Sequence, residues 1–160
     1  MSHNLYQRFA SHFPSDLDSP VLVDNNGVIA TYRDLTEQSA RMAGALTTLG
    51  AVAGDRVTVQ VEKSIDALWL YLGCLRAGLV FHPLNTAYQS SELEYFLGNA
   101  EPRIVVGDNH TTALLADIAG PDSVVTDITS LVAAAQASPT DFATVASAPD
   151  DLAALLYLSG

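Results

Sequence analysis

Lysine is almost missing from this chain. Lys63 is the only one, and Lys and Arg together number 7 against 18 Asp and Glu, for a formal charge of −11. No basic face for a phosphate backbone or an anionic bilayer can be assembled from so few cations, so neither nucleic acid nor membrane is an expected partner. Cysteine occurs once, which rules out an internal disulfide. Cys74 lies within an apolar run, where a buried thiol is the ordinary outcome and a nucleophile the rare one. Long apolar runs are lacking too. The longest, Ala67 to Leu75, is far short of the roughly 20 residues that cross a bilayer. No basic start followed by an apolar core marks a secretory leader. No Cys/His cluster has the spacing of a metal site. Charge of either sign is thin: 16% of residues are charged and 49% are hydrophobic. These absences describe an acidic, globular, cytoplasmic protein, part of whose surface is apolar and disposed to self-association.

The 160 residues suffice for one domain with a sizeable core. Asn4 to Phe13, with Leu5, Phe9 and Phe13 at helical spacing, reads as a short helix stopped by Pro14. Val21–Val23 and Val28–Ala30 flank Asp24-Asn25-Asn26-Gly27, a hairpin signal because Asn and Gly tolerate positive φ. Thr31-Tyr32-Arg33-Asp34 has the form of a capping box. It opens a helix with Leu35, Met42, Leu46 and Leu49 on one face and Gly50 at its end.

From Arg56 onward strands and helices alternate. Val57–Val61, Leu79–Phe81, Ile104–Val106, Val124–Val125 and Leu152–Leu158 read as strands. Between them lie helical stretches: Ile65–Ala77, a segment opened by Ser91 as cap with Glu94 three residues on, Thr112–Ala119 and Leu131–Gln136. That alternation predicts an α/β fold, a parallel sheet with right-handed crossovers and helices on both faces. In such sheets ligands bind beyond the carboxyl ends of the strands. That edge carries Glu62-Lys63-Ser64, His82-Pro83-Leu84-Asn85, Gly107-Asp108, Thr126-Asp127 and Ser159-Gly160.

Few of these residues announce chemistry. His82 has no partner acid or nucleophile identifiable by spacing and reads as a packed or hydrogen-bonding histidine. Asp108 and Asp127 each follow a strand, where a receiver domain keeps its phosphoacceptor, but helix capping is the commoner use. Glu62 and Lys63 read as a solvated pair, Trp69 as core, and His3, His12 and His110 as surface residues. The final Ser159-Gly160 could open a phosphate-holding turn, since glycine lets backbone N–H groups approach an anion; an ordinary turn uses the same dipeptide.

Several stretches resemble the amino-terminal part of the adenylate-forming acyl-CoA synthetases. They are Thr31-Tyr32-Arg33-Asp34-Leu35, Gly54-Asp55-Arg56-Val57, and Leu75-Arg76-Ala77-Gly78 followed by Pro83-Leu84-Asn85. Ala153 to Gly160 is similar to the strand and first positions of that family's ATP phosphate loop. Within the family, Glu62-Lys63-Ser64, Pro83 to Tyr88, Glu92 to Phe96 and Asp150 to Ala154 look most like malonyl-CoA synthetases.

The resemblance implies that residues 1–160 form an amino-terminal subdomain of a larger ligase, ending at the start of the phosphate loop. It implies ATP, Mg2+ and CoA as substrates or cofactors, and malonate or methylmalonate as the carboxylate, joined to CoA through an acyl-adenylate. Leu158, Ser159 and Gly160 are the residues it assigns to ATP. Leu158 stands where the family has Thr or Ser, which removes a hydroxyl but leaves the backbone N–H. No catalytic or metal-binding residue is implied within the chain, which by itself is expected to be inactive. The other readings are a ligase or adenylation domain for a different carboxylate, and a stand-alone α/β binding or signalling domain such as a receiver. A receiver keeps a lysine after its last strand, whereas Lys63 comes early.

Overall fold

Asn4 starts the first helix: its Oδ1 accepts from the N–H groups of Tyr6 and Gln7 and caps α1 (Leu5–Ala10). The computed structural model describes residues 1–158. The antiparallel hairpin β1 (Pro20–Asp24) and β2 (Gly27–Thr31) follows. The hairpin expected from Asn26-Gly27 is present, but only Gly27 takes a positive φ, at +129°; Asn26 does not, and its N–H donates to Asp24 Oδ1 at 2.7 Å instead. The capping box is present. Thr31 Oγ1 accepts the Asp34 N–H at 3.2 Å while Asp34 Oδ2 accepts the Thr31 N–H at 2.8 Å, opening α2 (Tyr32–Thr48). Such a cap contributes about 1 kcal/mol.

The frame is a parallel sheet of β3 (Arg56–Gln60), β4 (Val80–Pro83), β5 (Ile104–Gly107) and β6 (Val124–Asp127), in the order β4-β3-β5-β6. Four more helices cover it: α3 (Ile65–Arg76), α4 (Ser90–Ala100), α5 (Thr112–Ile118) and α6 (Ile128–Gln136). Successive strand residues point to opposite faces, and the two faces have separate cores. Val57, Val59, Ile104 and Val106 meet Leu46 of α2, Leu70 of α3 and Leu131 of α6. Val105, with Val125 at its margin, meets Leu93 and Leu97 of α4 and Leu115 of α5. The parallel α/β expectation therefore holds, with helices on both faces.

Some local starts differ from the sequence reading. The cap of α4 is Gln89, two residues before Ser91: the Glu92 carboxylate accepts the Gln89 N–H at 3.0 Å, and Ser91 Oγ only donates to Glu92 Oε2. α1 ends at Ala10 rather than Phe13, and α6 starts at Ile128. The larger correction is Leu152–Leu158, expected to be a buried strand. Only Ala154 makes a bridge, parallel to Phe81, and Leu152, Leu156 and Leu158 are 55%, 68% and 93% exposed. A strand sealed on both faces needs an apolar cover on each. Here Ala153, Leu155 and Tyr157 are half-buried, while Leu152, Ala154, Leu156 and Leu158 face solvent.

Trp69 is 6% exposed within the α2–α3 layer. Trp69→Ala should cost about 3–5 kcal/mol in denaturant melts, the range for large-to-small core changes; a loss under about 1 kcal/mol would contradict that packing.

Candidate functional site

The chain leaves β3 toward the α3 face of the sheet and leaves β4 toward the α4 face. Diverging exits at adjacent strand ends open a crevice. Here a cleft of about 510 Å³ lies between them, lined by Val61, Glu62, Lys63, Pro83, Leu84, Asn85 and Thr86. Its far wall is held by Gln60, 2% exposed, whose Nε2 donates to the carbonyls of Asn85 at 3.0 Å and Tyr88 at 3.3 Å. Glu62 and Lys63 are both exposed and form no ion pair with each other; Arg33–Asp18 is the one salt bridge among the described residues.

Two carboxylates at this edge are engaged locally. Asp127 caps α6, its Oδ1 accepting the Ser130 N–H at 2.7 Å, and these bonds hold its carboxyl below the usual range. Asp108 is not a side-chain cap. Its Oδ2 accepts the Glu62 N–H at 3.2 Å and ties the end of β5 to the end of β3. Neither sits in an acidic cluster of the receiver type, and among the described residues no three His, Cys, Asp or Glu side chains converge as a metal site. Cys74 is buried and its thiol pushed upward by burial, so it is no nucleophile. Trp69 is core, as expected, and His3, His12 and His110 are exposed.

His82 is fully buried in β4, with Nδ1 2.7 Å from Thr58 Oγ1 on the neighbouring strand. Its Nε2 has no partner. Burial, and secondarily the Arg56 guanidinium, push its pKa down to about 4, so the ring is neutral near pH 7. Beside it runs the 153–158 segment. Ala154 stands opposite Phe81, so Leu158, further along the same direction, has passed the end of β4 and reached the carboxyl edge. Of the residues expected to meet ATP, Leu158 is thus at that edge with its side chain in solvent; Ser159 and Gly160 lie outside the described residues.

A second cleft, about 540 Å³, lies at the opposite end of the sheet among Glu94, Glu101, Pro102 and Asp122. Its acidic lining and its distance from the strand carboxyl ends make it a poor host for a phosphate ligand. Sequence reasoning overlooked Gln60 at the carboxyl edge, and Tyr157 and Asn99, which bond to each other. Thr58-x-Gln60, polar at alternate positions between valines, was the available signal for the first.

The sequence model of a family described as AMP-binding enzyme matches residues 7–160. Among solved structures, ATP-bound MatB from Rhodopseudomonas palustris aligns with 100% of this chain at 40% identity and a TM-score of 0.86, and the chain covers 33% of it. Indigoidine synthase of Streptomyces lavendulae is 33% identical over 131 residues, 81% of this chain and 10% of that protein. The L-proline–[L-prolyl-carrier protein] ligase of Streptomyces coelicolor is 30% identical over 150 residues, 81% of this chain and 27% of that protein. The chain spans a third or less of the length of each.

The buried His82 makes stability pH-dependent in a definite direction. Its folded pKa lies below the ordinary 6.5, so the unfolded chain binds the proton more readily. The stabilisation is complete above about pH 6.5 and is lost as pH falls toward about 4. Denaturation midpoints should drop from pH 7 to pH 5, and His82→Gln should flatten that slope. Identical slopes in both proteins would assign the response to other groups.

Proposed function

The chain belongs to the AMP-binding enzyme family, and we propose that residues 1–160 are the amino-terminal portion of an ATP-dependent carboxylate–CoA ligase that uses malonate or methylmalonate. The observation that carries this reading is the likeness, along the entire chain, to ATP-bound MatB. Two of the four stretches most like malonyl-CoA synthetases, Glu62-Lys63-Ser64 and Pro83 to Tyr88, form or adjoin the carboxyl-edge cleft; Glu92 to Phe96 and Asp150 to Ala154 do not line it.

In this reading a carboxylate oxygen attacks the α-phosphorus of ATP and pyrophosphate leaves. The CoA thiol sulfur then attacks the acyl carbonyl and AMP leaves. Such chemistry relies on preorganised donors around the phosphates and on correct placement of the attacking group. This chain contributes placement. The sheet delivers Leu158 to the carboxyl edge, and this reading assigns Leu158, Ser159 and Gly160 to the phosphates, which backbone N–H groups can hold. Among the described residues no three His, Cys, Asp or Glu side chains converge, so any magnesium the reaction uses would be held elsewhere or by the phosphates. No helix among them is long and apolar enough to cross a membrane.

The proline–carrier protein ligase among the relatives supports a second reading, in which the acyl acceptor is a carrier-protein thiol and the carboxylate an amino acid. The two are separated by assay. Extended past Gly160, the protein should exchange pyrophosphate into ATP when given malonate or methylmalonate and should form the CoA thioester. Exchange driven by an amino acid, with no thioester on CoA, would favour the second. The 160-residue chain alone should form no malonyl-CoA from malonate, ATP, magnesium and CoA; turnover comparable to the extended protein would refute the scaffold role. The coding sequence after Gly160 should continue Thr-Thr-Gly and then Lys-Gly.

A further inference from the structure

Asn26-Gly27, at the tip of the β1–β2 hairpin, is the one Asn-Gly pair in the sequence. Both residues are exposed. Gly27 takes φ +129°, and beyond its own chain neighbours nothing lies within 4 Å of where a Cβ would stand. The Asn26 N–H donates to Asp24 Oδ1 at 2.7 Å. That bond engages the nitrogen before the asparagine side chain, not the Gly27 nitrogen after it. The hairpin is also lightly held. β1 and β2 form a sheet of two strands, and their register shifts between Pro20 and Leu22 and again between Leu22 and Val23. Val23 and Val28, paired next to the tip, are 65% and 58% exposed. A two-stranded hairpin is marginal by itself, so its tip opens at little cost.

The other asparagines each lack part of this setting. Asn4 is buried, its Oδ1 accepting from Tyr6 and its Nδ2 donating to the Leu75 and Val145 carbonyls. Asn99 lies inside α4, where the helical backbone fixes the following nitrogen. Asn25, Asn85 and Asn109 are exposed, but they precede Asn26, Thr86 and His110, whose side chains crowd the next backbone nitrogen. Glycine alone leaves that nitrogen unhindered and the chain free to turn toward it.

We propose that Asn26 is a site of spontaneous modification, converted to a mixture of aspartate and isoaspartate by its own backbone. The Gly27 nitrogen gives up its proton and bonds to Asn26 Cγ. The bond from Cγ to the side-chain nitrogen breaks, and ammonia leaves with that proton. The product is a five-membered succinimide. Water then adds to either ring carbonyl and reopens the ring at the Gly27 nitrogen. Opening at Cγ gives aspartate on the original backbone; opening at the α-carbonyl gives isoaspartate, with the backbone rerouted through Cβ and Cγ. No oxidant or reductant enters. Either product places a new carboxylate close to Asp24, and isoaspartate also lengthens the turn by one backbone carbon. The pairs Asp24–Gly27 and Val23–Val28 then no longer align across the hairpin. The inference is independent of the ligase reading.

The test ages the protein, extended past Gly160, in mildly alkaline buffer and follows its peptides by mass spectrometry. The peptide holding Asn26 should gain one dalton and split into two isomers, aspartate and isoaspartate. Its conversion should run roughly tenfold or more ahead of a peptide holding any other asparagine, because only there does glycine follow. The rate should rise with pH, since the attacking nitrogen must lose a proton. Asn26→Gln, an exposed change that keeps the amide and leaves the fold intact, should remove the gain from that peptide, because its ring closure needs one more atom and is far slower. An unchanged Asn26 peptide in the aged protein would overturn the proposal, whether the turn is too rigid or is covered by the rest of the chain. Conversion no faster than at Asn25, Asn85 or Asn109 would overturn it too. So would aspartate alone, without isoaspartate, since direct hydrolysis of the side chain gives only that.

Discussion

A buried cation holds the first half of this chain together. The Arg76 guanidinium, at the last turn of α3, donates to the carbonyls of Thr36 at 2.8 Å and Phe142 at 2.6 Å and to Ser39 Oγ at 3.2 Å, and lies 4.6 Å from the centre of the Tyr6 ring. α1, α2, α3 and the irregular stretch after α6 thus share one donor group. Its own carbonyl accepts the Val145 N–H at 2.8 Å, and Asn4 Nδ2 bridges the carbonyls of Leu75 and Val145 at 2.7 and 2.8 Å. Burial pushes Arg76 below its usual pKa, with the Tyr6 and Asp141 groups opposing. No carboxylate pairs with it directly. The cost of burying the charge is offset by these hydrogen bonds, each bond to a charged group contributing roughly 1.5–3 kcal/mol.

That arrangement explains what could and could not be read from the residues alone. The capping box at Thr31 and Asp34, the period-two valines of β3, and the helical face of Leu35, Met42 and Leu46 were legible because each is a local pattern with one physical solution. Arg76 was legible only as part of a resemblance. Its partners lie at Tyr6, Thr36, Ser39 and Phe142, and no spacing rule connects them. Gln60 and Tyr157 were missed for the same reason, since their partners come from α4 and the loop before it. Leu152–Leu158 failed differently. Its hydrophobicity is real, but a strand is defined by its neighbours, and Phe81 alone pairs with it.

The stretches that signalled the family prove to be structural. Gly54 takes φ +92°, the Asp55 carboxylate accepts the Val52 N–H at 2.8 Å, and the Arg56 guanidinium donates to the Ala100 carbonyl at 2.9 Å. Gly78 takes φ +71° with the Val145 side chain pressed where a Cβ would stand, 3.0 Å away, so only glycine fits without strain. These residues shape the turns that feed β3 and β4. They establish which sheet is built and say nothing of which carboxylate meets it. Family and substrate therefore rest on different residues, and along this chain the first set is far richer than the second.

The charge balance constrains how such a sheet could meet a nucleotide. With −11 formal charges and Lys63 the lone lysine, the chain as a whole repels a polyphosphate at long range. Favourable contact must then come from donors that carry no net charge and act only at close quarters. Backbone N–H groups in a tight turn meet that condition: their partial charges are fixed by geometry and are felt over a few ångströms. Their strength depends on where they point. Lys63, exposed on the rim of the carboxyl-edge cleft, is the single mobile cation at that edge. Replacing Leu158 by a residue with a hydroxyl would add a donor. It would leave the backbone N–H of Leu158 in place, so the leucine removes one side-chain contact and no backbone donor.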